Sequence, residues 1–254
     1  YVGIGLEQNF TFLAHSQVSL AIIIDINPIV TQVILPSFGL LIARSANRIE
    51  FMLALLGLSI AIGDVKDNDY SLFIRMIRDA RNEDWQIIKE RVRKTVAYLK
   101  QNLLARINPE LRSAASKLLD QFYGLEPYPG GSPAVAIKNY SDWVAAHRHI
   151  KYLEGYILDS WSWLGSEEGF QKIKKMWEEG RILAVTADFA EGGLRVISQY
   201  LIERESQAAI VYLSNIEEWL SDFKHGRDIA KKSVEGLGNL YHGIEALPKT
   251  ADAV

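Results

Sequence analysis

From Leu20 to Ile24 the chain runs Leu-Ala-Ile-Ile-Ile with no polar residue, then turns polar at Asp25-Ile-Asn-Pro28. A short β-branched run of this kind fits a strand buried on both faces, as in a parallel sheet covered by helices. Parallel strands need crossover connections, so the run demands neighbouring strands elsewhere in the chain and helices to cover them. The segment before it supplies one of each. Tyr1 to Gly5 reads as a short apolar strand closed by glycine, and Glu7 to about Ser16 carries Phe10, Leu13 and Ala14 at helical spacing. Strand, helix and strand within thirty residues make a compact βαβ unit, and Pro28 suits the first position of the next helix.

The next 130 or so residues read as helix. Trp85, Ile88, Val92, Val96, Leu99 and Leu103 form one apolar stripe, with charges on the opposite side. Asn108-Pro109-Glu110 is a helix start, and Gly124 fits the stop. The stretch Tyr-Gly-Leu-Glu-Pro-Tyr-Pro-Gly-Gly-Ser-Pro at 123–133 is a loop, either a plain connection or one that closes over a crevice. Helical pattern returns from Asn139 to Leu164 and from Glu167 to Glu179, with Ser166 as cap and Gly180 as stop. Trp161 and Trp163 read as packing at a helix end, with a ligand cage as the alternative. Beyond Gly180 the βαβ grammar resumes: Arg181–Phe189 is strand-like, Gly193–Glu205 helical, Ala208–Leu213 a strand, and Ser214–Phe223 a helix with a Ser214/Glu217 capping box. The expectation is an α/β fold in a single domain, residues 1–254. Residues 1–48 and 181–254 form its parallel sheet core, and 49–180 a large helical insertion after the second strand. The tail from Leu247 looks like the start of a further strand, and the abrupt opening suggests a lost N-terminus.

Composition removes several classes of function. A net charge of −3 and a pI near 6 give no basic footprint for nucleic acid. With no cysteine, disulfides, thiolate metal sites and cysteine nucleophiles are excluded, a composition that suits the cytoplasm. The uncharged stretches Gln8–Ile24 and Ile26–Ala43 contain polar residues, and the second has two prolines, so neither reads as a membrane span. His147 and His149 point to different helical faces, so no metal site is expected.

The first turn carries the functional signal. In a βαβ unit, glycines after the first strand let a ligand approach a helix N-terminus, and an acid ending the second strand reaches ribose hydroxyls. Gly5 and Asp25 stand twenty positions apart, as that geometry requires. A dinucleotide fingerprint wants a third glycine where Gln8 stands, and Glu7 places a carboxylate where pyrophosphate would lie. Two unit charges ~5 Å apart at an effective dielectric of ~20 repel by roughly 3 kcal/mol, which disfavours NAD and FAD. S-adenosylmethionine has no phosphate and carries cationic groups, so it passes this test. Gly3 and Gly5 serve equally well for a tight turn and close helix-sheet packing, and both explanations stand at this point.

The segments Gly-Ile-Gly-Leu-Glu-Gln-Asn-Phe-Thr-Phe, Ala-Ile-Ile-Ile-Asp-Ile-Asn-Pro, Ser166–Leu201 and Val211–Leu220 resemble an uncharacterised bacterial family. That family reads G-x-G-x-E-Q-N-F-T-Y at the first turn, D-I-R-R after the second strand and Y-L-S-N later. The resemblance implies a Rossmann-like fold similar to class I S-adenosylmethionine-dependent methyltransferases. Its pattern covers Glu7, Gln8, Asn9, Phe10, Thr11, Asp25, Asp188, Ser214 and Asn215, while the family's arginine pair is Asn27-Pro28 here. Methyltransferase motifs also place an acid two residues before the first glycine, where this chain has Tyr1.

The resemblance implies a small ligand, S-adenosylmethionine, in the crevice at the carboxyl ends of the strands. Gly3, Gly5, Glu7, Gln8, Asn9, Asp25, Asp188, Phe189, Ser214 and Asn215 would line that crevice. Asp25 would accept from ribose hydroxyls, with capping of the helix at Pro28 as the alternative. Glu7 would face a cationic part of the ligand, or simply favour a helix N-terminus. Gln8 and Asn9 offer amides to a ligand or to the turn. Asp188 would accept from the adenine amino group and Phe189 stack on the base; the alternatives are a cap and a core aromatic. Ser214-Asn215 lacks the proline pair that follows in methyltransferases acting on exocyclic nitrogens. Two functions follow: a methyltransferase-like enzyme acting on an unknown acceptor, or a non-catalytic binding protein on a degraded form of that fold. A third is an enzyme using another nucleoside or a small anion in the same crevice.

Overall fold

The computed structural model describes residues 1–5, 8–55, 85–122, 161–188, 192–213 and 238–250. The loop at 123–133, the stop at Gly124, the helix from Asn139 as far as residue 160 and the helix from Ser214 lie outside them; residues 161–164, expected to end that helix, form turns instead. The chain forms two compact units. One comprises Tyr1–Asn9, Ser16–Gln32 and Gly180–Val254, and the other Phe10–His15 and Val33–Glu179.

The first unit holds the sheet. Strands β1 (Val2–Ile4), β2 (Ala21–Asp25), β3 (Ile182–Thr186) and β4 (Val211–Tyr212) are all parallel, in the order β3-β2-β1-β4. The two ends of the chain therefore meet in one sheet, and the fold is α/β and Rossmann-like, with helices following β1, β2 and β3. The isoleucine run is β2, and Ile22, Ile23 and Ile24 are all essentially inaccessible to solvent. Alternation places Val2, Ile22 and Ile24 on one face. Helix α7 (Gly193–Glu203) lays Leu194, Ile197 and Leu201, spaced three and four apart, against that face. Leu240 and Leu247, in and just after the helical residues 238–246, complete the cluster. β4 is shorter than the expected Ala208–Leu213, although the Val2 N–H donates to the Ile210 carbonyl just before it; Ala208 pairs with Lys249, through Ala208 N–H to the Pro248 carbonyl (2.6 Å) and Thr250 N–H to the Ala208 carbonyl (3.2 Å). The tail thus begins a parallel pairing beside the approach to β4.

Helix α1 (Gln8–His15) follows β1 and passes from the first unit into the second. After β2 a π turn at Val30–Ile34 leads into α2 (Leu35–Arg44). Pro36 has no N–H to offer the Gln32 carbonyl, and its ring crowds that position, so the preceding turn widens. The second unit continues with α3 (Arg48–Leu55), α4 (Trp85–Leu103), α5 (Arg112–Phe122) and α6 (Glu167–Glu178). Val92, Val96, Leu99 and Leu103 of the α4 stripe are buried, and Lys100 meets Asp120 of α5 at 2.6 Å. Ser166 caps α6 by accepting the Gly169 N–H, and Gly180 follows its end at a φ of 66°. Phe10, Phe51, Trp163 and Phe170 form a buried aromatic core, with Trp163 edge-on to Phe10 at 5.1 Å. Of the two tryptophans weighed as a ligand cage, Trp163 is core, while Trp161 is about half exposed and stacks on His15.

A glycine in α2 marks a close helix contact in this unit. A methyl group at Gly39 would fall inside the indole ring of Trp177 on α6. An interior Gly→Ala change normally stabilises a helix by about 1 kcal/mol. Here overpacking, at about 1–3 kcal/mol or more, reverses the sign. We expect Gly39→Ala to lower unfolding free energy in a denaturant titration; a gain in stability would show that the two helices do not approach this closely.

Candidate functional site

The parallel order determines where ligand chemistry belongs. β1 lies between β2 and β4, and the connections from β1 to β2 and from β3 to β4 run to opposite sides of it. The carboxyl end of β1 is therefore the topological switch point, where open α/β sheets leave a crevice. Gly5 leaves β1 at this point with a φ of 94°, a left-handed conformation that a side chain would strain. Its N–H donates to the Ile24 carbonyl at 3.3 Å, which continues the Ile4–Ile24 register by one step and sets the first turn beside Asp25.

Asp25 is half-buried at the end of β2. Its Oδ1 accepts the Asn27 N–H at 2.8 Å, and Asn27 Oδ1 in turn accepts the Ile29 N–H at 3.0 Å. The cap of the helix that starts at Pro28 is thus Asn27, and Asp25 closes the turn before it. Among the described residues Asp25 forms no ion pair, so its second oxygen remains for a hydroxyl donor. Register carries Asp25 alongside Thr186 of β3, and the Ala187 N–H donates to the Asp25 carbonyl. Thr186 is exposed, and its hydroxyl meets that of buried Thr31 at 2.6 Å. Sequence reasoning missed this hydroxyl pair, although counting Asp25 and Thr186 as matching strand ends would have found half of it.

The two amides of the first turn have different fates. Asn9 is fully buried. Its Oδ1 accepts from the Tyr1 hydroxyl at 2.7 Å, and its Nδ2 donates to the Ile4 carbonyl at 3.1 Å. Its carboxamide lies so close to Gly3 that a Cβ there would collide with it and with the Tyr1 ring. Gln8 is half-buried, and its Nε2 lies 2.7 Å from where a Cβ on Gly5 would stand. Among the described residues no hydrogen bond holds the Gln8 carboxamide. Gly3 is explained by packing, Gly5 by the turn, and of the two amides Gln8 faces the turn with its bonding capacity unspent.

Asp188 follows β3, half-buried, and its carbonyl accepts the Gly193 N–H at 2.7 Å, which draws the start of α7 onto the strand end. Glu7, Phe189, Ser214 and Asn215 lie outside the described residues. The structure therefore brings Gly5, Gln8 and Asp25 together at the switch point, with Asp188 at the end of the outer strand β3. Asn9 and Gly3 support the turn from inside.

Residues 66–237, more than half of the chain, match the family model of a domain of unknown function, DUF7790. This chain belongs to the DUF7790 family. No curated protein matches it. The DUF7790 match takes in β3, α7 and β4 with Asp188, Phe189, Ser214 and Asn215, whereas Gly3, Gly5, Gln8, Asn9 and Asp25 precede it.

In this DUF7790 protein a cavity of about 400 Å³ opens at the opposite, amino-terminal edge of the sheet, among Ser16–Leu20, Ser206–Ile210 and Tyr1. No carboxylate, imidazole, lysine or arginine lines it; it offers hydroxyls, amides, backbone and the Tyr1 phenol. No group of three or more histidine, aspartate or glutamate side chains among the described residues could hold a metal ion. No helix among them is long and apolar enough to cross a membrane.

Burial, aided by the nearby Tyr212, pushes the Tyr1 phenol well above its ordinary value near 10. A raised folded-state value means the folded state prefers the neutral phenol. That stabilisation is intact below the unfolded value and is lost as pH climbs from about 10 towards the folded value. We expect Tyr1→Phe to flatten the decline in stability above about pH 10 relative to the parent, measured by denaturation at stepped pH; parallel curves would remove Tyr1 from the network. Asn9→Ala strands the Tyr1 hydroxyl and the Ile4 carbonyl and should cost about 1–3 kcal/mol of stability by the same measurement.

Proposed function

We propose that this protein binds an adenosyl ligand, S-adenosylmethionine or its demethylated product, at the carboxyl edge of its sheet, as a methyltransferase-like protein. One observation carries the reading: in a parallel sheet of order β3-β2-β1-β4, the left-handed turn at Gly5 and the Asp25 carboxylate stand side by side at the switch point. Gly5 gives a ligand close approach to the backbone, and the free oxygen of Asp25 suits a ribose hydroxyl. Asp188, at the end of β3, is assigned to the adenine amino group by the same likeness. Bound there, S-adenosylmethionine would supply an activated methyl group; the chain's own part is to position it.

A second reading, a binding protein without methyl transfer, is favoured by the packing of Asn9 onto Gly3 and of Gln8 over Gly5. The first turn is then filled by the chain's own side chains.

Calorimetric titration with S-adenosylhomocysteine tests the site. We expect saturable binding, weakened about 10-fold or more by Asp25→Ala, which removes a charge-assisted hydrogen bond worth about 1.5–3 kcal/mol. Absence of heat and of any thermal shift with both adenosyl compounds would end the adenosyl reading. Release of S-adenosylhomocysteine from S-adenosylmethionine in the presence of an acceptor would end the non-catalytic one.

A further inference from the structure

We infer that Gln8 is the specificity-determining residue of this site and restricts it to phosphate-free nucleosides; the inference rests on the adenosyl reading above. A pyrophosphate is held in a βαβ unit when the turn and the first helical positions are bare, so that successive N–H groups at the helix N-terminus meet its oxygens. Here the first residue of α1 is Gln8, three positions after Gly5. Its carboxamide folds back until Nε2 lies 2.7 Å from the position of a Cβ on Gly5. The side chain thus occupies the approach that a diphosphate would need, on the helix end that would otherwise attract it.

The state of the amide strengthens the assignment. Asn9, the next residue, is locked by two hydrogen bonds, while Gln8 makes none with the described residues. Moving Gln8 aside for an uncharged or zwitterionic ligand forfeits no hydrogen bond to those residues, and the amide can then donate to and accept from that ligand. A phosphate gains less, because an amide supplies no positive charge. Asp25, one strand away with an oxygen to spare, suits ribose hydroxyls, which nucleosides and dinucleotides share, so the discrimination against phosphate rests on Gln8. Asp25 thus recognises the ribose and Gln8, at the start of α1, sets which nucleosides are admitted.

The test is competitive calorimetry on the full chain with adenosine and S-adenosylhomocysteine against ADP and NAD, for the parent, Gln8→Gly and Gln8→Ala. The parent should prefer adenosine to ADP by about 10-fold or more. Gln8→Gly should shrink that preference about tenfold by baring the helix end, with Gln8→Ala changing it in the same direction at less risk to the helix. Circular dichroism checks that each variant is folded. An unchanged preference in both variants, or a parent that binds ADP as tightly as adenosine, overturns the role of Gln8 and leaves the adenosyl site standing. A parent that binds none of the four ligands overturns the site and this inference together.

Discussion

The hydrogen bond from the Gly5 N–H to the Ile24 carbonyl is the point on which the rest of the candidate site turns. It extends the β1/β2 register past the end of β1, so the chain leaves the sheet level with Asp25 rather than a residue above or below it. A slip of one residue would flip every side chain of β1 to the opposite face. Val2 would then leave its cluster with Ile22, Ile24 and Ile197 of α7, and the Gly5 turn would no longer start beside the carboxylate. Register is held here by burial: β2 is inaccessible along its isoleucines, so alternative pairings would expose them. The apolar core of this unit and the geometry of the polar edge are one constraint.

The two glycines of the first turn solve different problems, and a motif search treats them alike. Gly5 is required by backbone conformation, at a φ of 94°. Gly3 has no such need. It is small because the Asn9 carboxamide and the Tyr1 ring press on it, and that amide ties the start of α1 back to the Ile4 carbonyl at the end of β1. A buried amide with both its groups bonded is stabilising, whereas losing one partner leaves the other desolvated. The turn is thereby braced from within before any ligand is considered.

Much of the fold was legible because long-range demands are written locally. Three isoleucines in a row require cover on both faces, and a strand of that kind requires parallel neighbours, which the 181–213 region resupplies. The adjacency of Gly5 and Asp25 follows from the same spacing argument. What stayed hidden depends on side-chain direction. Gln8 and Asn9 are chemically near-identical and successive, yet about 100° of helical rotation sends one to the turn and the other into the core. Likewise Asp25 and Asn27 are both good caps, and only the folded structure shows Asn27 taking the Ile29 N–H while Asp25 closes the turn before it. The Thr31–Thr186 pair joins residues 155 positions apart, beyond any local pattern.

These details narrow what the edge can do. The Gly5 N–H itself is spent on Ile24. On the adenosyl reading, recognition falls to side chains with unspent capacity among the described residues, the Gln8 amide and one oxygen of Asp25. Neither supplies a positive charge, so an anionic group gains less from the Gln8 amide and nothing from Asp25. Polar groups that both donate and accept gain at each position. The same two residues leave the enzymatic and the purely binding readings sharing one ligand class, and the difference between them lies in what stands opposite the bound ligand rather than in the turn itself.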